Sequence, residues 1–597
     1  MFKFTTRPEL LGKFGVVTST HWLATAVGMA TLERGGNAFD AACATGFVLQ
    51  IAEPHLNGPG GELPAVFWAK KDGKVRVLCG QGPAPGLATI AHFRKLGLET
   101  VPGSGLLPAV VPGAFDGWMK LLADYGTLRL RDVLEPAIGY AETGVPMLPK
   151  MSEFIRRVRD LFREHWPTSG AVYLIDGEAP KPGTWLANKA LAATYKRILA
   201  EAEAKSRDRE GQIAAARKAW YHGFVAEAID RFHRKEKLLD ASMRKNGGLL
   251  RGEDLAEWQA TYEEPVTYDY GRYTVCKCGF WSQGPVMLQQ LAILDGMGLK
   301  GISPESAEFV HKVTEASKLA FADREAWYGD PNFVDVPAET LLSKAYATQR
   351  RRLIADRASL DLLPGSPDGR TPNVEAAMST SGDAGPIGHY FSLGEPTVDQ
   401  LGRMQGDTVH LDVIDKDGNM ISATPSGGWL QSAPVVPELG FCMSVRGQMF
   451  WLDEASPSAL APRKRPRTTL SPSLALRDGE PYMAWGTPGG DQQDQWSTVM
   501  FLRHADHGMN LQEAIDAPSW HSEHFPNSFW PRGRKPGRLV IESRFPDDTL
   551  AELKRRGHDV EIGGPWSEGR LTAAAKDGDL LKAAANARGM QGYAAGR

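Results

Sequence analysis

The sequence predicts a mixed α/β fold, and three observations carry that prediction. The chain opens with a strand followed by two helices, long stretches carry helical periodicity, and alternating strand-like runs recur, most of them after residue 400. In the opening segment, GVVTS reads as a strand. Leu23 and Val27 begin a helical stripe that stops at Gly35-Gly36, and Asn37 caps a second helix running toward Pro54. Apolar periodicity predicts further helices around 114–124, 130–142, 189–203, 223–233, 286–297, 305–326 and 512–516. Strands are predicted at 268–276, 408–415, 419–424 and 438–446.

A chain of 597 residues accommodates one large α/β core or two to three domains. With 68 Lys+Arg against 71 Asp+Glu, the near balance of charge gives no field for steering toward nucleic acid or an anionic membrane, so a small molecule is the expected partner. Five cysteines, Cys43, Cys79, Cys276, Cys278 and Cys442, are few and odd in number, which speaks for a reducing compartment rather than a disulfide framework. The N-terminal MFKFTTRPELLGKFG lacks the apolar core of a secretory signal, and no run approaches the ~20 apolar residues of a membrane span, so a cytoplasmic location is expected.

The stretch 364–406 is rich in Gly, Pro, Ser, Thr and Asp and reads as a connector. A well-patterned hairpin follows, in which VHLDVID and NMISAT flank Asp417-Gly418, a pair favoured in two-residue turns. That turn would pair Lys416 with Asn419 and set Thr408 opposite Gly427, bringing Ser426 back beside it. A threonine hydroxyl attacks a carbonyl only when a base takes its proton, and a free α-amine on the same residue is one such base. Thr408 has the setting for this, at the first position of a rigid strand after a connector; on pattern alone it also reads as an ordinary β-branched strand residue.

Stretches spread along the chain carry a resemblance. They are GVVTSTHWLATAVGMATLERGGNAFDAACA, EPHLNGPGG at 53–61, AIGYAETGVPM at 137–147, GGLLRGEDLAEW at 247–258 and EASKLAFADREAWYGDPNFVDVP at 315–337. After the connector come GDTVHLDVIDKDGNMISAT at 406–424, ALAPRKRPRTTLSP at 459–472, GTPGGD at 486–491 and GHDVE at 557–561. In this order they resemble the γ-glutamyltransferase family. The resemblance implies the four-layer αββα fold of N-terminal-nucleophile hydrolases and self-cleavage between Asp407 and Thr408. It further implies segments 1–407 and 408–597 that stay together as a heterodimer, with pairing of two such heterodimers left open, and no cofactor. It implies Thr408 as nucleophile with its α-amine as base, Ser426 as a supporting hydroxyl, and Gly489 and Gly490 as oxyanion donors. Thr468 and Thr469 would contact substrate. The glycine pair also reads as a plain turn, and the threonines as loop caps.

Three positions depart from the family pattern. Gln81 falls where γ-glutamyl enzymes carry a carboxylate-binding arginine, Gly428 replaces an asparagine, and Trp451 stands at or near the acidic residue that meets the substrate ammonium. Glutathione is therefore expected to be a poor substrate, since a zwitterion would bury charges without their mates. The RGQMF and KRPRTTLSP variants are similar to the branch holding cephalosporin acylases and oxamate amidohydrolases. Arg446 and Arg467 lie in them as candidate carboxylate ligands or as salt-bridge arginines. Hydrolysis of a linear amide is the leading expectation, with glutathione hydrolysis or transfer, or an uncleaved ligand-binding relative, as rivals. A metal site is not expected, because Cys276-Lys277-Cys278 and His521 with His524 fall short of a ligand set and no HExxH occurs. No GxxxxGK[ST] and no GxSxG occur either. The aromatic and basic run 520–538 is expected to be a solvated loop over the site rather than a nucleic-acid platform.

Overall fold

The computed structural model describes residues 4–379 and 408–597. Of the predicted connector, 364–379 holds a 3-10 turn at Pro367–Gly369 and a helical turn at Glu375–Ser379; the rest of it, with Asp407, lies outside the described residues.

Among the described residues, fourteen strands build two sheets. In chain order they are β1 (Leu10–Gly12), β2 (Gly15–Ser19), β3 (Leu63–Ala69), β4 (Lys74–Gly80), β5 (Thr261–Glu263), β6 (Val266–Tyr270), β7 (Tyr273–Lys277), β8 (Leu411–Asp415), β9 (Met420–Ala423), β10 (Ser473–Arg477), β11 (Glu480–Gly486), β12 (Thr572–Asp577), β13 (Leu580–Ala585) and β14 (Tyr593–Gly596). One sheet runs β14-β2-β8-β9-β3-β4-β5 and the other β1-β13-β12-β11-β10-β7-β6. Each sheet takes strands from both sides of the 407–408 bond, so backbone ladders stitch the two segments together.

Alternation along the strands separates three apolar layers. Val17, Leu411, Val413 and Ile421 point outward, onto helices α1 (Trp22–Glu33) and α2 (Ala38–Ala52). Val16, Ile414 and Met420 point the other way and meet Leu474, Ala484 and Ala574 of the facing sheet. On that sheet's far side, Val275, Ala475, Met483 and Trp485 pack on α3 (Gly284–Leu294) and α5 (Gln493–Ala505), with α4 (Ala307–Trp327) packed on α3. Helix, sheet, sheet, helix is the resulting order. The start of α2 follows the predicted cap: Asn37 Oδ1 accepts from Asp40 N at 3.1 Å while Asp40 Oδ2 accepts from Asn37 N at 2.9 Å.

Three sequence readings need correction. Asp415 N donates to Asn419 O at 3.2 Å, so the hairpin closes over a three-residue turn, Lys416 to Gly418, with Gly418 at φ +87° in the left-handed region. Asp415 Oδ1 accepts from Asp417 N at 2.9 Å and Asn419 N at 3.0 Å, which fixes the longer loop and moves the register by one. Leu411 faces Ala423 and Thr408 faces Ser426, not Gly427. The predicted strand at 268–276 is two strands, β6 and β7, folded at Gly271, whose φ of +61° closes the turn. The run 438–446 yields only Phe441–Cys442, paired with Val435–Val436, before a 3-10 turn at Arg446–Met449.

Candidate active site

Thr408 continues the line of β8 at the edge between the segments. It is fully buried, and its Oγ1 lies 3.1 Å from Ser426 Oγ. Ser426 is clamped in turn, since Glu62 N donates to Ser426 O at 2.8 Å and Ser426 N donates to Glu62 O at 3.1 Å. Two residues on, His410 is oriented from both ring nitrogens, by Thr424 Oγ1 at 2.8 Å and Asp412 Oδ1 at 2.9 Å. The nucleophile candidate thus stands on a strand whose next inward groups are locked.

The GTPGGD turn leaves the end of β11, where Gly486 packs so tightly on the His410 ring that a Cβ would overlap it. Gly489 has φ +128° and Gly490 φ +49°, backbone that a side chain rarely adopts. A 3-10 turn from Gly490 to Gln492 runs into α5, so the glycine N–H groups sit at the positive end of a helix. Two carboxylates near that end are countered: Asp491 is paired with Arg324, and Asp494 with Lys277 at 3.1 Å. Gln283 ties the turn to the threonine pair, its Nε2 donating to Gly490 O at 3.0 Å and its backbone N to Thr468 O at 2.8 Å.

The remaining candidates divide. Thr468 Oγ1 accepts from Leu470 N at 3.3 Å, the capping arrangement, while Thr469 Oγ1 is buried without a hydrogen-bond partner. Gln81 is buried with its Nε2 on Gly82 O at 3.0 Å and its Oε1 unpartnered. Trp451 presents its ring to the Arg532 guanidinium at 4.0 Å, and burial brings that arginine down to about 9. Arg467 is committed within the protein: Nη2 donates to Glu325 Oε1 at 2.8 Å and Nη1 to Arg324 O at 3.1 Å. Burial alone would raise the Glu325 carboxyl, but Arg467 and Arg324 hold it below its usual range. Arg467 therefore belongs to a buried chain, Arg467–Glu325–Arg324–Asp491, that anchors the glycine turn. Arg446 is the opposite case, with Nη2 at 3.4 Å from Glu62 Oε2 and Nε and Nη1 buried and unpartnered.

Most of the run 520–538 is buried rather than solvated, and only Lys535 and Pro536 in it are exposed. Ser528 donates to Asp491, and Phe529 is buried against Trp429, because aromatic residues at this density cover the cleft with apolar surface. His521 and His524 are held within this packing. Glu568 and Glu523 raise His521 to about 10 although burial opposes it, and His524 Nδ1 accepts from Gly537 N at 3.0 Å. Away from the cleft, ligand atoms of His311, Glu315 and His558 lie within 4.8 Å of one another. They already engage each other and Lys318, with His311 to His558 at 2.8 Å and Lys318 to Glu315 at 2.6 Å.

Sequence reading missed Glu53 and Glu62, although both belong to or adjoin the quoted EPHLNGPGG stretch. Glu53 is fully buried, receives Thr20 Oγ1 at 2.6 Å and Gln591 Nε2 at 2.5 Å, and is coupled to the site through Thr20 N, which donates to His410 O at 3.1 Å. Burial pushes its carboxyl from 4.5 up to about 7, opposed in part by Thr20 and Arg570. A raised carboxyl favours folding while protonated, so its contribution is complete below 4.5 and is lost as pH rises through about 7, a change of about 3 kcal/mol. Melting temperatures from pH 4.5 to 8 should show the wild type losing ground to Glu53→Gln across that window; parallel curves would refute the raised value.

The gamma-glutamyltranspeptidase family model matches residues 24–596. The chain belongs to this family. The glutathione hydrolase-like YwrD proenzyme of Bacillus subtilis strain 168 is 31% identical over 97% of this chain and 98% of its own length. The acylase ACY 1 proenzyme of Pseudomonas sp. strain SE83 is 33% identical over 96% of this chain and 92% of its own. The solved structure of LmbA2991HD superposes with a TM-score of 0.93 at 54% identity, covering 100% of each chain. The two stacked sheets between helices are the αββα architecture expected of this gamma-glutamyltranspeptidase family member.

Proposed function

We propose that this chain is a self-cleaving amidohydrolase with an N-terminal threonine nucleophile. The observation that carries the reading is Thr408 Oγ1 at 3.1 Å from Ser426 Oγ, with the two residues bridged across the hairpin that Thr408 opens. Scission of the Asp407–Thr408 bond frees the Thr408 α-amine, which takes the hydroxyl proton as Oγ1 attacks an amide carbonyl. The oxyanion is met by the N–H groups of Gly489 and Gly490, strengthened by the helix end behind them. The protonated amine gives its proton to the leaving amine, and water then hydrolyses the acyl ester. Ser426 orients the nucleophile, and Thr469 offers an open hydroxyl to the substrate. The proenzyme names of the relatives support the cleavage step, and the acylase name supports an amide substrate.

Cleavage there predicts two fragments of about 44 and 21 kDa, the 65.1 kDa mass divided by residue number. They should co-purify under native conditions, since both sheets draw strands from both fragments. Denaturing electrophoresis with N-terminal sequencing tests this: the smaller fragment must begin at Thr408. A single intact band in the active preparation, or a start elsewhere, overturns the assignment and favours an uncleaved ligand-binding protein.

A further inference from the structure

Gln283 is the N-cap of α3, a place where glutamine is not favoured, and its side chain makes no capping bond there. It is fully buried, and its amide is spent on other elements. Oε1 accepts from Arg324 Nη1 at 2.8 Å, and Nε2 donates to Gly490 O at 3.0 Å. A guanidinium only donates and a carbonyl only accepts, so these partners fix which way the amide points. They also fix the residue type, because the side chain here must offer one donor and one acceptor side by side.

The bond to Gly490 O bears directly on the glycine turn. Gly490, at φ +49°, joins two peptide planes. In the plane before it, Gly489 O accepts from Gln492 N at 2.8 Å, which turns the Gly490 N–H the opposite way. In the plane after it, Gly490 O is held by Gln283, and the Asp491 carboxylate is held by the same Arg324 nitrogen that holds Gln283. Peptide, carboxylate, guanidinium and amide thus close a ring around the 490–491 bond, with Arg324 and Asp491 buried as well. Solvent does not replace a lost partner in a buried ring, so each bond counts for more than it would at the surface. Gln283 N donates to Thr468 O at 2.8 Å, which fixes the backbone that carries the amide. Gln283 and Arg324 come from the large segment, whereas the glycine turn belongs to the small one.

Resting on the assignment of Gly489 and Gly490 as oxyanion donors, we infer that Gln283 is a positioning residue of the reaction, through which the large segment aims the donors of the small one. The small segment carries the nucleophile and the turn, but the aim of the turn is set from outside it.

Variants at 283 test this on whichever of acetyl-, pentanoyl-, phenylacetyl- and glutaryl-p-nitroanilide the wild type hydrolyses fastest. Gln283→Met keeps the length and removes donor and acceptor; it should lower kcat by about 10- to 100-fold with little change in KM, the cost of misaimed groups. Gln283→Glu keeps the shape and the acceptor for Arg324 but turns a second acceptor on Gly490 O. At alkaline pH, with the new carboxyl ionised, it should lose at least as much, whereas a role in packing alone would leave it near the wild type. The fragment pattern on a gel reports folding, and if Gln283→Met does not fold, Gln283→Glu carries the test. Combined with Gly489→Ala, either change should add less than its own single loss, because both act on the same donors; losses that multiply overturn the inference. An unchanged kcat in Gln283→Glu beside a lowered one in Gly489→Ala sinks this inference alone, and an unchanged kcat in Gly489→Ala sinks the oxyanion reading and this inference with it. If no anilide is turned over, pentylboronic acid is the probe: a bond from Thr408 Oγ1 to boron, with the hydroxyl proton passing to the α-amine, gives a tetrahedral adduct whose oxygen meets the donors. It should raise the melting temperature of the wild type more than that of Gln283→Glu; equal shifts overturn the inference, and no shift in either overturns the oxyanion reading on which it rests.

Discussion

Thr408→Ala is expected to leave a single uncut chain and to lower amide turnover by about 10⁴-fold or more, the scale seen when a covalent nucleophile is removed. The expectation has two parts because, in the proposed mechanism, one hydroxyl serves two reactions. In the precursor the Thr408 oxygen would attack the carbonyl just before it, and in the mature enzyme the same oxygen would attack the substrate. Alanine keeps the strand start but removes the oxygen that lies 3.1 Å from Ser426. Thr408→Ser restores an oxygen and should restore both fragments on a gel, with slower turnover because the β-methyl no longer fixes the rotamer. An uncut Thr408→Ala chain that hydrolysed amides at the wild-type rate would place the chemistry elsewhere.

How much of this could be read from the sequence depends on whether the deciding interaction is local. The α1–α2 corner was legible because its determinants are neighbours: Gly35-Gly36 ends one helix, and Asn37 with Asp40 starts the next. The hairpin was legible except for its length. Asp417-Gly418 signals a two-residue turn, but the Asp415 carboxylate captures two backbone N–H groups and stabilises the three-residue alternative. That one-residue difference decides whether Ser426 or Gly427 faces the nucleophile. The charged residues were the least legible. Arg467 and Arg446 look alike in sequence, and what separates them is Glu325, 142 positions from Arg467, and Glu62, 384 positions from Arg446. No spacing rule reaches that far, so one arginine proves to be a brace of the glycine turn and the other an open donor.

That brace gives the second large expected effect. Gly489→Ala should lower kcat by about 10²- to 10³-fold with little change in KM, the loss associated with one misplaced oxyanion donor. The added methyl meets two obstacles. At φ +128° a Cβ is sterically disfavoured, and here it would lie 2.4 Å from the edge of the Trp496 ring, which is itself held against His521. Neither obstacle is free to give way, because Asp491, two residues on, is fixed by Arg324 and Ser528, and Trp496 is packed in the core of the outer helical layer. The strain must therefore be relieved at the backbone of 489–490, by rotating the N–H groups that face the oxyanion. Since substrate binding uses other groups, ground-state affinity should survive while the transition state loses its donor. Steady-state kinetics on the processed variant distinguish the outcomes: a fall confined to kcat supports the glycine pair as the oxyanion site, whereas an unchanged kcat would mean that the turn is only a turn.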